Sequence, residues 1–418
     1  MKKRMKFAFL AGLLALGTAL AGCGNSASNT ASNNSGEAAP PANSGSGSGS
    51  EASAGEKAGG KIVIASIGPL SGPNSAYGET AKEGAEYALS NRKEDFKKLG
   101  FDLELLPQDD QADPKQAVAA AEAAITNKDV LAVVGHVTTG AAISASVKYD
   151  QEGLAMVAPS ATGIQLTEEG KKVVFRVCAR DDAQGSQAAV YAKNQLNVKK
   201  LFVLHDKQAY GQGLAEQVKA QVEKDGGVEL VGYEGITAGE KDYSAIVNQI
   251  VAKKPDLVYF GGYYAEGGIL IKQLREKGYE GGFMGADGLD SDEMVKIAGK
   301  AADGVIYTST VGDVSATEEG KKWVEEFEKN TGKKVGIFTS LGYDAMNTVL
   351  HGVEEAIKAN NGNKPTREQV VEALKKVNDF QGKFMKVGFD EKGDNSFAQV
   401  FVYKFENGQK VYVGQVQQ

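Results

Sequence analysis

Short apolar runs rich in β-branched residues alternate with amphipathic segments along the chain from Lys61 onward. A short continuous apolar run predicts a buried strand, and apolar positions with a helical period predict a helix. The predicted strands are residues 61–67, 101–106, 130–137, 155–159, 173–178, 200–205, 228–233, 256–263, 282–285 and 304–308. The predicted helices between them are residues 83–91, 114–127, 183–195, 211–224, 242–253, 265–277 and 291–299.

Regular alternation of strand and helix, with strands that are apolar throughout, predicts parallel sheets covered by helices on both faces. The predicted fold class is therefore α/β and doubly wound. One helix start is marked clearly, because Asp113 can cap free backbone N–H groups and Pro114 suits the first helical turn.

The pattern changes after about Val311. Residues 318–331, 340–358 and 367–377 predict three helices. Two β-rich stretches follow, at residues 384–390 and 399–413. Within the second, Asn407-Gly408 lies between alternating apolar positions and predicts a tight hairpin.

The chain beyond residue 60 is too long for one ordinary hydrophobic core and predicts two domains. We expect two α/β lobes between which the chain crosses more than once. The predicted N-terminal lobe is residues 61–180 with 311–388, and the predicted C-terminal lobe is residues 181–310 with 389–418. Because open α/β sheets bind ligands beyond the carboxyl ends of their strands, the cleft between the lobes is the predicted site.

The first 22 residues have a basic start and an apolar run that is shorter than the ~20 residues a membrane-spanning helix needs, which predicts a signal peptide. Leu20-Ala21-Gly22-Cys23 resembles a bacterial lipobox, so we expect cleavage before Cys23 and acylation of its thiol. Residues 23–60 are rich in Gly, Ser and Asn and predict a flexible tether. The expected location is the outer face of the cell membrane, with attachment by lipid alone.

Charge and cysteine content narrow the classes of function. The net charge is −7, and removal of residues 1–22 removes only basic charged residues, so neither nucleic acid nor an anionic membrane surface is an expected partner. Only two cysteines occur, and acylation of Cys23 leaves Cys178 without a partner for a disulfide. Cys178 is the last residue of a mostly apolar predicted strand, which indicates a small buried side chain rather than a reactive thiol.

Two hydroxyl-rich loops follow predicted strands of the N-terminal lobe. Thr138 and Thr139 open a helix, where hydroxyls and free N–H groups suit an anion such as a carboxylate, although simple helix capping explains them equally well. Ser160 and Thr162 form a second such set after the next strand. Together the two loops predict a carboxylate-binding cradle at one side of the cleft.

Aromatic and acidic residues follow predicted strands of the C-terminal lobe. Tyr210 and Tyr263 are placed at the rim of the cleft. Asp287 is a lone carboxylate at a strand end, suited either to a ligand ammonium group or to capping the next helix. The loop at residues 68–78, which contains Tyr77, follows a predicted strand and is either a plain turn, as its composition favours, or part of the site.

The same residues do not indicate an enzyme, a metal site or a cofactor. His136, His205 and His351 are the only histidines, and no two of them have metal-ligand spacing. Neither a Gly-x-Ser-x-Gly elbow nor a Gly-x-x-x-x-Gly-Lys-Ser/Thr loop is present. His136 belongs to an apolar strand and is interpreted as a structural hydrogen-bonding residue.

Several motifs occur together over nearly the whole chain beyond the tether. They include Ser71-Gly72-Pro73, Tyr77-Gly78, Asp113-Pro114-Lys115-Gln116-Ala117 and His205-Asp206-Lys207-Gln208-Ala209-Tyr210-Gly211. In these motifs the chain resembles the branched-chain amino acid binding proteins of leucine, isoleucine and valine uptake systems. The resemblance implies a type I periplasmic binding protein fold with a three-crossing hinge that closes like a Venus flytrap, and delivery of the ligand to an ABC permease. A monomer is expected, because such a protein must close freely.

The resemblance also implies roles for individual residues. Thr139 and Thr162 would bind the ligand carboxylate, and Ser160, Thr162 and Asp287 would bind the ammonium group. The residues implied around the ligand side chain are Tyr77, Thr138, Tyr210, Tyr263 and Tyr343.

Three departures from the family pattern leave the ligand open. Ala112 and Thr138 stand where well-known Gram-negative members have a disulfide, Asp287 stands where they have a glutamate, and Ser160 stands where they have an alanine. The shorter carboxylate requires further closure or a bridging water, and the added hydroxyls make the pocket more polar. Another amino acid, a small amide or urea, and a ligand-sensing role are the alternatives.

Overall fold

The computed structural model describes residues 59–415. The predicted signal peptide, Cys23 and most of the predicted tether lie outside these residues. The strands are β1 Gly60–Gly68, β2 Phe101–Asp109, β3 Val130–Gly135, β4 Ala155–Ala158, β5 Val174–Arg176, β6 Lys200–His205, β7 Glu229–Gly235, β8 Leu257–Gly261, β9 Gly282–Gly285, β10 Ile306–Ser309, β11 Phe380–Gln381, β12 Lys386–Val387, β13 Phe401–Glu406 and β14 Gln409–Gln415.

The helices are α1 Ser75–Lys98, α2 Pro114–Thr126, α3 Thr139–Glu152, α4 Gln165–Glu168, α5 Asp181–Asn194, α6 Ala209–Asp225, α7 Ser244–Lys253, α8 Tyr264–Glu276, α9 Asp292–Ala298, α10 Glu318–Thr331, α11 Thr339–Ala359 and α12 Arg367–Leu374. Asp287–Leu289 and Gly299–Ala302 form short 3₁₀ helices. The alternation predicted from the apolar pattern is confirmed.

The first sheet contains five parallel strands in the order β2-β1-β3-β4-β5. Its central strands are buried on both faces, as in Val130–Gly135, where all six residues are buried. The second sheet has the order β14-β13-β10-β9-β8-β6-β7 and is parallel except for β13 and β14. Each sheet has its own apolar core, so the predicted doubly wound α/β class with two lobes is confirmed.

The chain crosses between the lobes three times. It leaves the first sheet after β5, returns after β10, and crosses again between β12 and β13. In the returning segment, α11 packs on α1 and α12 packs on β3 and β4 of the first lobe. Residues of all three crossing segments line a common cavity, so the crossings are adjacent and form the hinge that the resemblance implied.

Local sequence signals agree with the structure at two points. The Asp113 carboxylate accepts hydrogen bonds from the N–H groups of Lys115 (2.8 Å) and Gln116 (3.0 Å), which confirms the predicted cap. Asn407 and Gly408 have φ angles of 54° and 74° and connect β13 to β14, which confirms the predicted hairpin.

Two predicted elements differ most in extent. Helix α1 begins at Ser75, well before predicted residue 83, because the loop after β1 closes into the helix directly. Of predicted strand 384–390, Lys386–Val387 pairs with Phe380–Gln381, and Phe389 forms an isolated bridge with Asn395. The remainder belongs to the third crossing, where apolar Phe389 packs on the core of the first lobe without joining a sheet.

Cys178 is buried, and burial raises the pKa of its thiol, which confirms the interpretation as a small buried residue. Within residues 59–415, no helix is both long enough and apolar enough to cross a bilayer. The same residues contain no group of three or more His, Cys, Asp or Glu side chains arranged to hold a metal ion.

Candidate functional site

A small cavity lies between the two lobes at the carboxyl ends of their strands. It is lined by Tyr77, Val137, Thr138, Thr139, Ser160, Tyr210, Tyr263, Asp287, Gly288 and Phe338. Its volume is about 10 Å³, which is room for roughly one water molecule. Larger and more open cavities of about 800 and 550 Å³ lie beside the second crossing, but the predicted ligand-binding groups converge here.

The N-terminal lobe contributes hydroxyl groups and a helix start to the cavity. Thr138 precedes α3, but its side chain makes no capping hydrogen bond, and its buried Oγ1 has no partner among residues 59–415. Thr139 Oγ1 accepts a hydrogen bond from the N–H of Gly163 at 3.1 Å, and Ser160 Oγ donates to the carbonyl oxygen of Val137 at 2.9 Å. The two predicted loops are therefore adjacent, and the α3 N-terminus makes this side favourable for an anion.

Thr162 belongs to the same loop as Ser160 and is fully buried. It is not among the residues that line the small cavity. Its carbonyl oxygen accepts from the N–H of Asp181 at 3.0 Å, while its hydroxyl oxygen has no partner within the described chain. The loop is thus connected to the first residue of α5 in the other lobe.

Asp287 is the acidic group of the cavity. Its Oδ1 accepts hydrogen bonds from the Tyr210 hydroxyl at 2.7 Å and from Gln184 Nε2 at 2.8 Å. Burial raises the pKa of Asp287 to about 6, and these two hydrogen bonds oppose the rise. The N-cap of α9 is Ser291, so the alternative in which Asp287 caps that helix is excluded.

Aromatic rings form the remaining wall. Tyr210 and Tyr263 stack with their ring centroids 5.0 Å apart, and Tyr77 lies 5.7 Å from Tyr263 and 5.4 Å from Phe338. Such a wall suits an apolar ligand group. Seven of the nine residues predicted to contact ligand therefore line one cavity.

Tyr343 does not lie at the cavity, and its predicted place there is wrong. Its ring packs against Trp323 at 5.1 Å and Tyr87 at 5.9 Å in a separate aromatic cluster of the first lobe. Phe338, five positions earlier at the start of α11, lines the cavity instead. Five residues correspond to a rotation of about 140° around a helix, so the two rings point to largely opposite sides.

Sequence reasoning missed two further polar residues, Asp181 and Gln184. Both lie on the buried face of α5, at a spacing of three residues, directly after the first crossing. Gln184 holds Asp287, and burial raises the pKa of Asp181 to about 8. The available signal was the pair of polar residues at helical spacing in a segment otherwise rich in alanine.

His136 is part of a buried hydrogen-bonded chain. Its Nδ1 lies 2.6 Å from Asp110 Oδ2, and its Nε2 lies 2.9 Å from the hydroxyl of Tyr149 on α3. All three residues are completely buried and away from the cavity surface. The structural interpretation of His136 is confirmed. These two hydrogen bonds connect α3 to the residues that follow β2 and β3.

Comparison with known proteins gives consistent results. A family model described as periplasmic binding protein matches residues 61–416. The "Leucine-, isoleucine-, valine-, threonine-, and alanine-binding protein" of Pseudomonas aeruginosa is 36% identical over 344 residues, which cover 82% of this chain and 90% of that protein. The "Leu/Ile/Val-binding protein homolog 3" of Brucella melitensis is 36% identical over 353 residues, which cover 84% and 93%.

Solved structures share the fold. The leucine-binding protein LivK of Thermotoga maritima is similar with a TM-score of 0.77 and 30% identity, covering 85% of this chain and 99% of that one. The branched-chain amino acid binding protein LivJ of Streptococcus pneumoniae, solved with isoleucine, is similar with a TM-score of 0.74 and 24% identity, covering 85% and 99%.

Proposed function

The chain belongs to the periplasmic binding protein family, and from that membership we propose that it captures a branched-chain aliphatic amino acid outside the cytoplasm and delivers it to an ABC permease. One observation carries the proposal. A single interlobe cavity has hydroxyl groups and a helix N-terminus on one side, a buried carboxylate on the other, and aromatic rings along the wall. That arrangement is complementary to both charges and the apolar side chain of such a ligand.

The two charges of the ligand have separate partners. We assign the ligand carboxylate to Thr139 and Thr162, next to the N-terminus of α3. The ammonium group is assigned to Asp287, with the carbonyl oxygen of Ser160 and the hydroxyl of Thr162. Burying a zwitterion is tolerated only when both charges are hydrogen-bonded, and charge-assisted bonds of this kind are the strong ones.

The ligand side chain is assigned to the aromatic wall. Tyr77, Tyr210 and Tyr263 surround it, with Thr138 and Phe338 completing the pocket. The unpartnered hydroxyl of Thr138 favours a second candidate, a ligand with a small hydroxylated side chain such as threonine. The name of the Pseudomonas aeruginosa relative includes threonine among its ligands.

Binding requires the lobes to move. The cavity accommodates about one water molecule, so a ligand enters only when the lobes separate. We propose that the ligand first contacts the N-terminal lobe through Thr139 and Ser160, and that hinge closure then brings Asp287 and the tyrosines onto it. The permease would recognise the closed form.

The proposed location follows from the sequence. A lipid on Cys23 would hold the protein at the outer face of the membrane, and the tether up to residue 60 would let it reach the permease. The protein would act as a monomer, with the permease subunits as its partners. Replacement of Cys23 by serine would then release the protein into the medium and abolish labelling with palmitate.

Calorimetric titration tests the ligand assignment. Residues 59–418 are unfolded and refolded to remove carried ligand, then titrated with leucine, isoleucine, valine, threonine and a small aliphatic amide. Micromolar or tighter binding of an aliphatic amino acid supports the proposal. Binding of the amide alone would leave the fold assignment unchanged and contradict the proposed class of ligand.

A further inference from the structure

Arg176, the last residue of β5, is completely buried. Its Nη1 donates to the carbonyl oxygens of Ala161 at 3.1 Å and Gly163 at 2.8 Å. Its Nη2 donates to Thr167 Oγ1 at 2.6 Å, and its Nε donates to Asp394 Oδ1 at 2.5 Å. The guanidinium therefore holds two backbone carbonyls of the loop that contains Ser160 and Thr162.

The direction of those carbonyls fixes the direction of an N–H group. In a planar trans peptide, the carbonyl and the following N–H point to opposite sides. Because the Ala161 carbonyl points to Arg176, the N–H of Thr162 points away from Arg176. No acceptor within residues 59–415 takes this N–H, and Ser160 of the same loop lines the cavity. The donor is thus free for a ligand oxygen.

The same arginine connects the loop to the hinge. Asp394 lies in the third crossing, and the N–H of Arg176 donates to the neighbouring Gly393 carbonyl at 2.9 Å. Asp394 Oδ2 also accepts from Arg180 Nη1 at 2.7 Å and from Thr167 Oγ1 at 3.0 Å. Arg180 belongs to the first crossing, so Asp394 joins the first and third crossings, and Arg176 connects them to the loop that contains Ser160 and Thr162.

We propose that Arg176 is a positioning residue of the ligand site. It directs the N–H of Thr162 toward the ligand carboxylate by holding the carbonyl oxygens of Ala161 and Gly163. This inference rests on the proposed function, because only an amino acid ligand would bring a carboxylate to the N–H of Thr162. A purely structural ion pair between Arg176 and Asp394 is the competing explanation.

The substitution R176K separates the two explanations. Lysine keeps a positive charge near Asp394, but it lacks the planar fork that reaches both carbonyls. The matched control is D394N, which removes the charge pair and leaves both carbonyl contacts of Arg176 in place. We expect R176K to weaken leucine binding by about tenfold or more, the effect of losing one charge-assisted hydrogen bond, and D394N to weaken it less than about threefold.

A second measurement reports on the donor itself. Protein labelled with ¹⁵N-threonine is titrated with leucine, and the amide resonance of Thr162 is followed by NMR. We expect this resonance to shift on ligand addition in the wild-type protein and in D394N, and to lose that response in R176K. An ion pair with only a structural role would leave the response unchanged in any variant that folds.

Each outcome decides the question. Equal losses of affinity in R176K and D394N, or a wild-type Thr162 amide that does not respond to leucine, would overturn the positioning role. If R176K does not fold, a wild-type Thr162 amide that fails to respond to leucine still overturns the positioning role. A wild-type protein that binds no amino acid rejects the proposed function and this inference with it, whereas normal binding in R176K rejects only the inference.

Discussion

The hydroxyl of Tyr77 in the N-terminal lobe donates a hydrogen bond to the carbonyl oxygen of Gly288 in the C-terminal lobe at 2.5 Å. Tyr264, beside Tyr263, makes a second interlobe hydrogen bond, from its hydroxyl to the carbonyl of Pro73. Tyr77 is almost completely buried, and burial raises the pKa of its hydroxyl well above the usual value. The closed arrangement of the lobes is thus held directly at the edge of the ligand cavity.

Replacing Tyr77 by phenylalanine should weaken ligand binding by about three- to tenfold. The variant keeps the ring that lines the cavity and loses only the hydrogen bond that favours closure, and such a bond contributes roughly 0.5–1.5 kcal/mol. Calorimetric titration with the best ligand measures the change.

The matched control for Tyr77 is Tyr343→Phe, which alters a tyrosine in the aromatic cluster around Trp323. Its ligand affinity should equal that of the wild type. A loss in Y343F as large as that in Y77F would contradict the placement of Tyr343 outside the site.

Replacing Asp287 by asparagine should reduce affinity for an amino acid by about 100-fold or more. The ligand ammonium would lose the charged partner that Asp287 provides at the cavity while remaining buried, which costs roughly 2–5 kcal/mol. Gln184 and Tyr210 can still hold the amide oxygen of asparagine, so the fold should persist. An unchanged affinity would instead support an uncharged ligand such as a small amide.

Ligand affinity should fall as the pH falls below about 6. The pKa of Asp287 is raised to about 6 by burial, and the ligand ammonium binds only the ionised carboxylate. Protonation therefore competes with binding, by about tenfold per pH unit well below the pKa. Titrations between about pH 4.5 and about 8 would measure how steeply ligand affinity depends on pH. Asp181, whose pKa is raised to about 8, adds a smaller change in affinity near the upper end of this range.

The control for this pH dependence is D287N, which should lose the steep decline below pH 6. A wild-type affinity that stays constant from about pH 8 to pH 5 would contradict the assignment of Asp287 to the ammonium group.

Replacing Thr138 by valine should change ligand preference. The buried Thr138 hydroxyl has no partner in the described structure, and valine has nearly the same shape. We expect the affinity for valine relative to threonine to rise by about tenfold, within the range that one pocket group can contribute. A constant ratio would show that the hydroxyl faces away from the ligand side chain.

The sequence predicts the elements of this fold well because apolar periodicity is a local property. The strand and helix order follows from it directly, and helix α10 has the predicted bounds of Glu318–Thr331. Residues at strand ends were also predictable as residues of the cavity, because the carboxyl ends of parallel strands face the cleft. Thr139, Ser160 and Asp287 were predicted in this way, and all three line the cavity.

Relationships between distant segments were not predictable from local patterns. Gln184 and Asp287 are 103 residues apart, and their hydrogen bond exists only because α5 follows the first crossing. The error at Tyr343 has the same origin, since the rotation of α11 about its axis is set by packing against α1 and not by its sequence alone. From the sequence, Arg176 is only a charged residue in an apolar strand. The four acceptors of its guanidinium group could not be predicted.

The interleaved path of the chain sets the order in which it can fold. The strands of the first sheet are complete at Arg176, but the helices α11 and α12 that cover it come after β10, and the second sheet lacks β13 and β14 until the last residues. Neither lobe can finish its core before nearly all of the chain is available, and contacts between such distant segments form slowly. A chain that leaves the cell N-terminus first would therefore stay incompletely folded through most of its passage, and a fragment ending between the lobes would provide neither lobe intact.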